Sequence, residues 1–95
     1  MASIRYRVHA LIQMEERDIS PADVRMALES GEDIEDRPAD QPYPSRLVLG
    51  LSSTGALHVA VYDIIEADEV WVTTVYRPDP ALWEPDMKTR KARRS

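Results

Sequence analysis

RLVLGLSSTGALHVAVYDIIEADEVWVTTVYR, residues 46–77, is the stretch whose reading decides the fold. Three runs within it, RLVLGL, ALHVAVYD and EVWVTTVYR, have strand length and are rich in Val, Leu, Thr and aromatic residues. Such side chains pack well on a pleated, half-buried surface. The connections SSTG and the acidic IIEADE are short enough for consecutive antiparallel hairpins. Working back, DIED at 33–36 is a short candidate fourth strand, and RPADQPYPS at 37–45 is a proline-interrupted exposed loop that cannot be a central strand. Working forward, Pro78, Pro80 and Pro85 end regular pairing, while Leu82 and Trp83 give the tail something apolar to dock with.

Ahead of the strands the period is helical. Ile4, Val8, Leu11 and Ile12 form an apolar stripe with strong helix formers between them, which predicts one helix over 4–16. Ser20 suits an N-cap, Pro21 suits N1 and Asp23 sits near N3, so a second helix should begin at Pro21. Its buried stripe is Val24, Ala27 and Leu28, and Gly31 marks its end. The fold expected is α+β: an N-terminal helix hairpin packed on a three- to four-stranded antiparallel sheet. LVLGL and LHVAVY are apolar on both faces over part of their length, so the face away from the helices needs cover from the tail and from a partner.

The chain has 95 residues, 43% of them hydrophobic, which suits a single α+β domain over residues 1–85. Residues 86–95 are expected to be a flexible basic tail: Lys88, Arg90, Lys91, Arg93 and Arg94 are five of the twelve basic residues. Residues 1–87 are left with seven basic against seventeen acidic side chains, a net −10. A body that acidic repels polyanions on average, so any RNA contact must rest on the tail or a local patch. The absence of cysteine excludes disulfides, thiolate zinc sites and cysteine nucleophiles. No phosphate-cradling glycine motif, EF-hand loop or metal-ligand spacing is present, so no cofactor is expected. No apolar run approaches the roughly 20 residues of a membrane span, and MASIRYRVHA lacks the apolar middle of a signal peptide. A cytoplasmic location without membrane contact is expected.

HALIQMEERDIS, LVLGL, LHVAVYD and TTVYRPDPALWEPDMKTRK, taken in that order, resemble the blocks of the domain-of-unknown-function family 4258 over nearly the whole chain from His9 to Lys91. The family pattern has arginine where this chain has Gln13, and often glycine where it has Asp18. Members resemble RelE-type and MqsR-type ribonuclease toxins in layout and often occur beside zinc-ribbon antitoxin-like proteins. The resemblance implies a RelE-like fold, RNA as substrate and such an antitoxin-like partner.

Metal-independent RNA cleavage needs a base for the 2′-hydroxyl proton, an acid for the leaving oxygen and cations or donors on the phosphate. His9 and His58 suit proton transfer, Arg17 suits a bidentate phosphate clamp, and Tyr76 can donate a proton or stack on a base. These four are the candidate catalytic residues. His9 and Arg17 project within about 80° of each other on an ideal helix. Each also has a structural explanation: His9 as a helix-edge hydrogen-bonder, Arg17 as a charge at a helix C-terminus, His58 as a satisfied sheet histidine, and Tyr76 with Trp83 as docking aromatics. The alternative function is a non-catalytic protein-interaction module that uses the exposed sheet face or the acidic surface.

Overall fold

The computed structural model describes residues 2–92. Its elements are β1 (Ser3–Tyr6), α1 (Val8–Glu16), α2 (Pro21–Ser30), β2 (Glu32–Arg37), β3 (Ser45–Ser52), β4 (Gly55–Ile64), a 3-10 turn (Ile65–Ala67) and β5 (Glu69–Tyr76). The five strands form one sheet in the order β1-β5-β4-β3-β2. β2 to β5 are a run of antiparallel neighbours. The fold is α+β, but the sheet is mixed: β1 is a fifth strand, paired parallel to β5 from Ser3↔Glu69 to Tyr6↔Val72. Among the described residues, no helix is long and apolar enough to cross a membrane.

β1 corrects the expectation of a helix from Ile4. The spacing of four from Ile4 to Val8 fits a helical face, but it also equals two strand periods. Ile4 and Tyr6 turn toward the core while Ser3 and Arg5 face solvent, the alternation of a half-buried strand. Arg7 N–H, donating to Val72 O at 3.0 Å, continues the ladder to the start of α1.

α1 also buries the opposite face from the one expected. Val8, Leu11 and Ile12 are 72%, 45% and 49% exposed, whereas Ala10 and Met14 are buried. At about 100° per residue, Ala10, Gln13, Met14 and Arg17 share one side of the helix, and that side meets β5. The helix ends in a Schellman motif: Ile19 N–H donates to Met14 O at 2.8 Å and Asp18 N–H to Glu15 O at 3.3 Å. Asp18, at φ 55°, is in the left-handed region that glycine adopts without a Cβ penalty.

α2 follows its expected bounds. Ser20 Oγ accepts from Asp23 N at 3.1 Å, and Asp23 Oδ2 accepts from Ser20 N at 3.2 Å, closing a capping box. Val24 and Ala27 are fully buried against β3 and β4, and Leu28 is half-buried at the edge of the same core. The core is one layer between the helices and the sheet: Ala10, Met14, Ile19, Val24 and Ala27 against Val48, Leu57, Val59, Val61, Val72 and Val75.

Gly50 lets the two layers meet. A Cβ there would collide with the carbonyl oxygen of Ala27 and lie 2.6 Å from its Cα. Gly50→Ala must therefore push α2 off β3, and it is expected to lower unfolding free energy at or above the upper end of the roughly 1–3 kcal/mol typical of overpacking. Urea denaturation checks this; a change within error would mean that α2 does not rest on β3 here.

Candidate active site on the outer sheet face

Two irregularities decide which side chains reach the face away from the helices. The β4–β5 register slips between Ala60 and Val61, which makes Thr73 the extra residue, its Oγ1 donating to Ala60 O at 3.1 Å. Val72 and Val75 thereby both face the core, and Trp71, Thr74 and Tyr76 share the outer face. A second slip, between Asp33 and Glu35, makes Ile34 the extra residue in β2 and sets Glu35 opposite Leu47.

Residues 77–92 cross one end of this outer face. Glu84 N–H donates to Thr89 O at 2.8 Å and Lys91 N–H to Leu82 O at 2.9 Å, so the segment folds on itself. Trp83 is buried beneath it, 4.4 Å from the His58 ring in an edge-to-face arrangement. Lys88 Nζ meets Glu32 at 2.7 Å, and the Arg90 guanidinium lies 4.7 Å above the Trp83 ring. Met87, Lys88 and Arg90 of the basic tail are thus held against the domain; residues 93–95 lie outside the described residues.

His58, on β4, is completely buried under this segment. Its Nε2 lies 2.7 Å from Met87 O, and a carbonyl only accepts, so Nε2 carries a proton. In the neutral ring Nδ1 then accepts from the Tyr76 hydroxyl, 3.1 Å away. Burial lowers the His58 pKa against the opposing effect of the Met87 carbonyl, and burial raises that of Tyr76. A neutral imidazole beside a protonated phenol is the resulting state.

Tyr76 also lines a cleft of about 260 Å³, together with Glu35, Arg37, Leu47, Ala60, Thr74 and Arg90 among others. Glu35 Oε1 accepts from Arg37 at 3.1 Å, and its Oε2 is 3.6 Å from Arg90. The cleft thus brings the Arg37 and Arg90 guanidinium groups beside one carboxylate and a phenol tied to a buried imidazole. Arg46, also in the lining, is held by Asp63 through two bonds of 3.0 and 3.1 Å and by Asp33 at 3.1 Å.

The four residues expected from the sequence form two separate pairs. His58 and Tyr76 meet at the cleft. His9 lies on α1 and Arg17 caps its C-terminus, at the edge of β5 that β1 leaves open. There Gln13 Oε1 accepts from Val75 N at 3.1 Å, and Arg17 Nη1 donates to Val75 O at 2.8 Å. Gln13 Nε2 lies 2.9 Å from His9 Nε2 and donates to it, so the neutral His9 ring carries its proton on Nδ1. Arg17 is therefore engaged with main chain, and its own carbonyl accepts from Arg77 at 2.6 Å.

Glu35, Arg37 and Arg90 escaped the sequence reading. Glu35 and Arg37 are two apart, hence on one face of a strand, but DIED alone, with its bulge unseen, gives no face. Arg90 falls in the stretch whose composition suggests a flexible basic tail. Among the described residues, no three His, Asp or Glu side chains cluster as a metal-binding set.

The model of a family described as "Domain of unknown function (DUF4258)" matches residues 6–77. No curated protein and no solved structure matches the chain.

His58 predicts a pH dependence. Its native pKa lies below the roughly 6.5 of an unfolded histidine, so the unfolded chain takes up the proton first as pH falls. The stability linked to this group is complete above that pH and is lost as pH drops toward the native value. Denaturation midpoints should fall between pH 7.5 and 5.0, and less so in His58→Gln, which keeps a donor for Met87 and an acceptor for Tyr76. An equal fall in both proteins would remove His58 as the cause.

Proposed function

We propose, for a chain that belongs to the DUF4258 family, that it is a metal-independent ribonuclease of a toxin–antitoxin pair, with a layout related to that of RelE-type and MqsR-type toxins. The observation that carries this reading is Tyr76: its hydroxyl is held by a buried, neutral His58 on one side, and its side chain lines a cleft with Arg37 and Arg90 on the other.

In this reading the arginines bind the scissile phosphate and oppose the charge that develops on it. As the 2′-oxygen attacks phosphorus, its proton passes to Tyr76 Oη while the tyrosine proton passes to His58 Nδ1. The imidazolium so formed keeps its Nε2–H bond to Met87 O, and Glu35 lies close enough to favour the charge. The P–O5′ bond breaks, solvent protonates the leaving oxygen, and a 2′,3′-cyclic phosphate remains. His58 then returns its proton through Tyr76 to solvent, replacing the one given to the leaving oxygen. This assignment moves proton transfer away from His9 and phosphate binding away from Arg17.

Purified protein with labelled single-stranded RNA in EDTA tests it. Tyr76→Phe keeps the ring and should lower kcat by roughly 100-fold or more, within the range of general acid–base catalysis. Undiminished cleavage by this variant would discard the relay. Absence of both cleavage and growth arrest with the unaltered protein would discard the ribonuclease reading.

The exposed Val8, Leu11 and Ile12 supply the surface for an antitoxin-like partner, since a contiguous apolar helix face in water marks an interaction site. Leu11→Asp should leave cleavage intact and abolish neutralisation by the co-expressed partner. Neutralisation at full strength would place the partner elsewhere.

A further inference from the structure

The outer face carries a second feature that the cleft chemistry does not use. Tyr62 and Trp71 are register partners on β4 and β5, with rings 6.2 Å apart and 3° from parallel. Tyr43, from the loop between β2 and β3, continues the series, 5.6 Å from Tyr62 at 9°. Three parallel rings therefore run across the sheet surface. Tyr43 is 36% exposed, and Tyr62 and Trp71 are half-buried, so none is enclosed in the core. The core lies on the other side of the sheet.

The ladder ends in a groove. Trp71, Tyr6, Arg7, Val8 and His9 line a depression of about 310 Å³. The Trp71 indole nitrogen is tied to Glu69 at 3.2 Å, and Arg5 holds the same carboxylate at 3.1 Å, which fixes one edge of the indole. Arg7 is exposed beside it. With Nε2 accepting from Gln13, the His9 ring has Nδ1–H as its remaining donor. An aromatic surface, a guanidinium and an imidazole donor together suit a flat heteroaromatic base attached to a phosphate.

We infer that the ends of the Trp71–Tyr62–Tyr43 ladder, where a ring face is not covered by a ladder neighbour, form with the groove a stacking site for unpaired bases of single-stranded RNA. This rests on the RNA reading above and extends it to the form of substrate. The β5 bulge sets Trp71 on the same face as Tyr76, five positions away and on the order of 15 Å along the strand. A strand bound on the ladder thus reaches the cleft within a few nucleotides. Stacking also accounts for how a body of net −10 holds a polyanion: base–aromatic contacts do not depend on neutralising many phosphates, and they tolerate any sequence. A duplex offers no free base faces and is poorly held.

The test uses the full chain and a fluorescent 2′-O-methyl oligonucleotide, which lacks the attacking hydroxyl, so binding is measured apart from cleavage. The single strand should bind more tightly than its duplex and quench Trp71, while buried Trp83 provides a constant background. Trp71→Ala should weaken binding by about 5- to 100-fold, the range for loss of one base stack. Tyr43→Ala, on an exposed loop, should weaken it without touching the core. Equal affinity for duplex, no binding of the single strand, or unchanged binding by both variants overturns the inference. Binding that is lost in Trp71→Ala, with natural RNA left uncut by the unaltered protein, upholds the stacking site and rejects the ribonuclease. Cleavage that proceeds in Trp71→Ala with unchanged KM rejects the stacking site and leaves the ribonuclease standing.

Discussion

The main chain of Val75 sets the conditions for much of the rest of the molecule. β1 ends its pairing at Val72, so β5 continues for four residues with its outer edge open. A buried N–H or carbonyl left without a partner costs about 1–3 kcal/mol, and the partners at Val75 come from side chains: Gln13 for the N–H and Arg17 for the carbonyl. Two residues one helical turn apart match two groups of a single residue. This requirement orients α1, turning Ala10 and Met14 inward and Val8, Leu11 and Ile12 outward. It also commits Arg17 to the main chain and ties His9 to Gln13. The Gln13 amide supplies both an acceptor for the Val75 N–H and a donor for His9.

The outer face depends on a different device. A flat, regular β5 would alternate strictly and put Trp71 and Tyr76 on opposite sides of the sheet. The extra residue at Thr73 changes the phase once, and its hydroxyl satisfies the carbonyl that the slip leaves exposed. Valines at 70, 72 and 75 then serve one layer while Trp71, Thr74 and Tyr76 serve the other. The segment over residues 77–92 completes that layer, because His58 has a neutral, fully bonded environment only with the Met87 carbonyl above it. The surroundings that keep His58 uncharged are those that leave its Nδ1 as the acceptor for the Tyr76 hydroxyl.

Charge distribution gives these surfaces their chemistry. The acidic body and the basic end are not independent, since Lys88 reaches Glu32 and Arg90 reaches Glu35. Part of the formal asymmetry is thus neutralised locally. What remains at the cleft is a small, structured set of charges. Exposed ion pairs of this kind contribute little to stability, but they fix where two guanidinium groups sit relative to the phenol.

Local rules in the sequence were enough for α2, with its serine cap, N1 proline and Asp23 box, and for β3, β4 and β5 with their short connections. Those features depend on neighbours within a few residues, and chain order carries that information directly. β1 was not legible in the same way, because a four-residue apolar spacing satisfies two periods and only pairing with a strand more than sixty residues away selects one. The outward face of α1 has the same origin, since hydrophobic spacing cannot register a demand from the main chain of Val75. At the candidate site, the sequence supplied residue types suited to proton transfer, His58 and Tyr76 among them. Tertiary structure decided their grouping: two single-residue bulges and a folded-back segment brought Tyr76, His58, Glu35, Arg37 and Arg90 to one face. A change of strand phase by one residue moves a side chain through the sheet, and composition contains no trace of it.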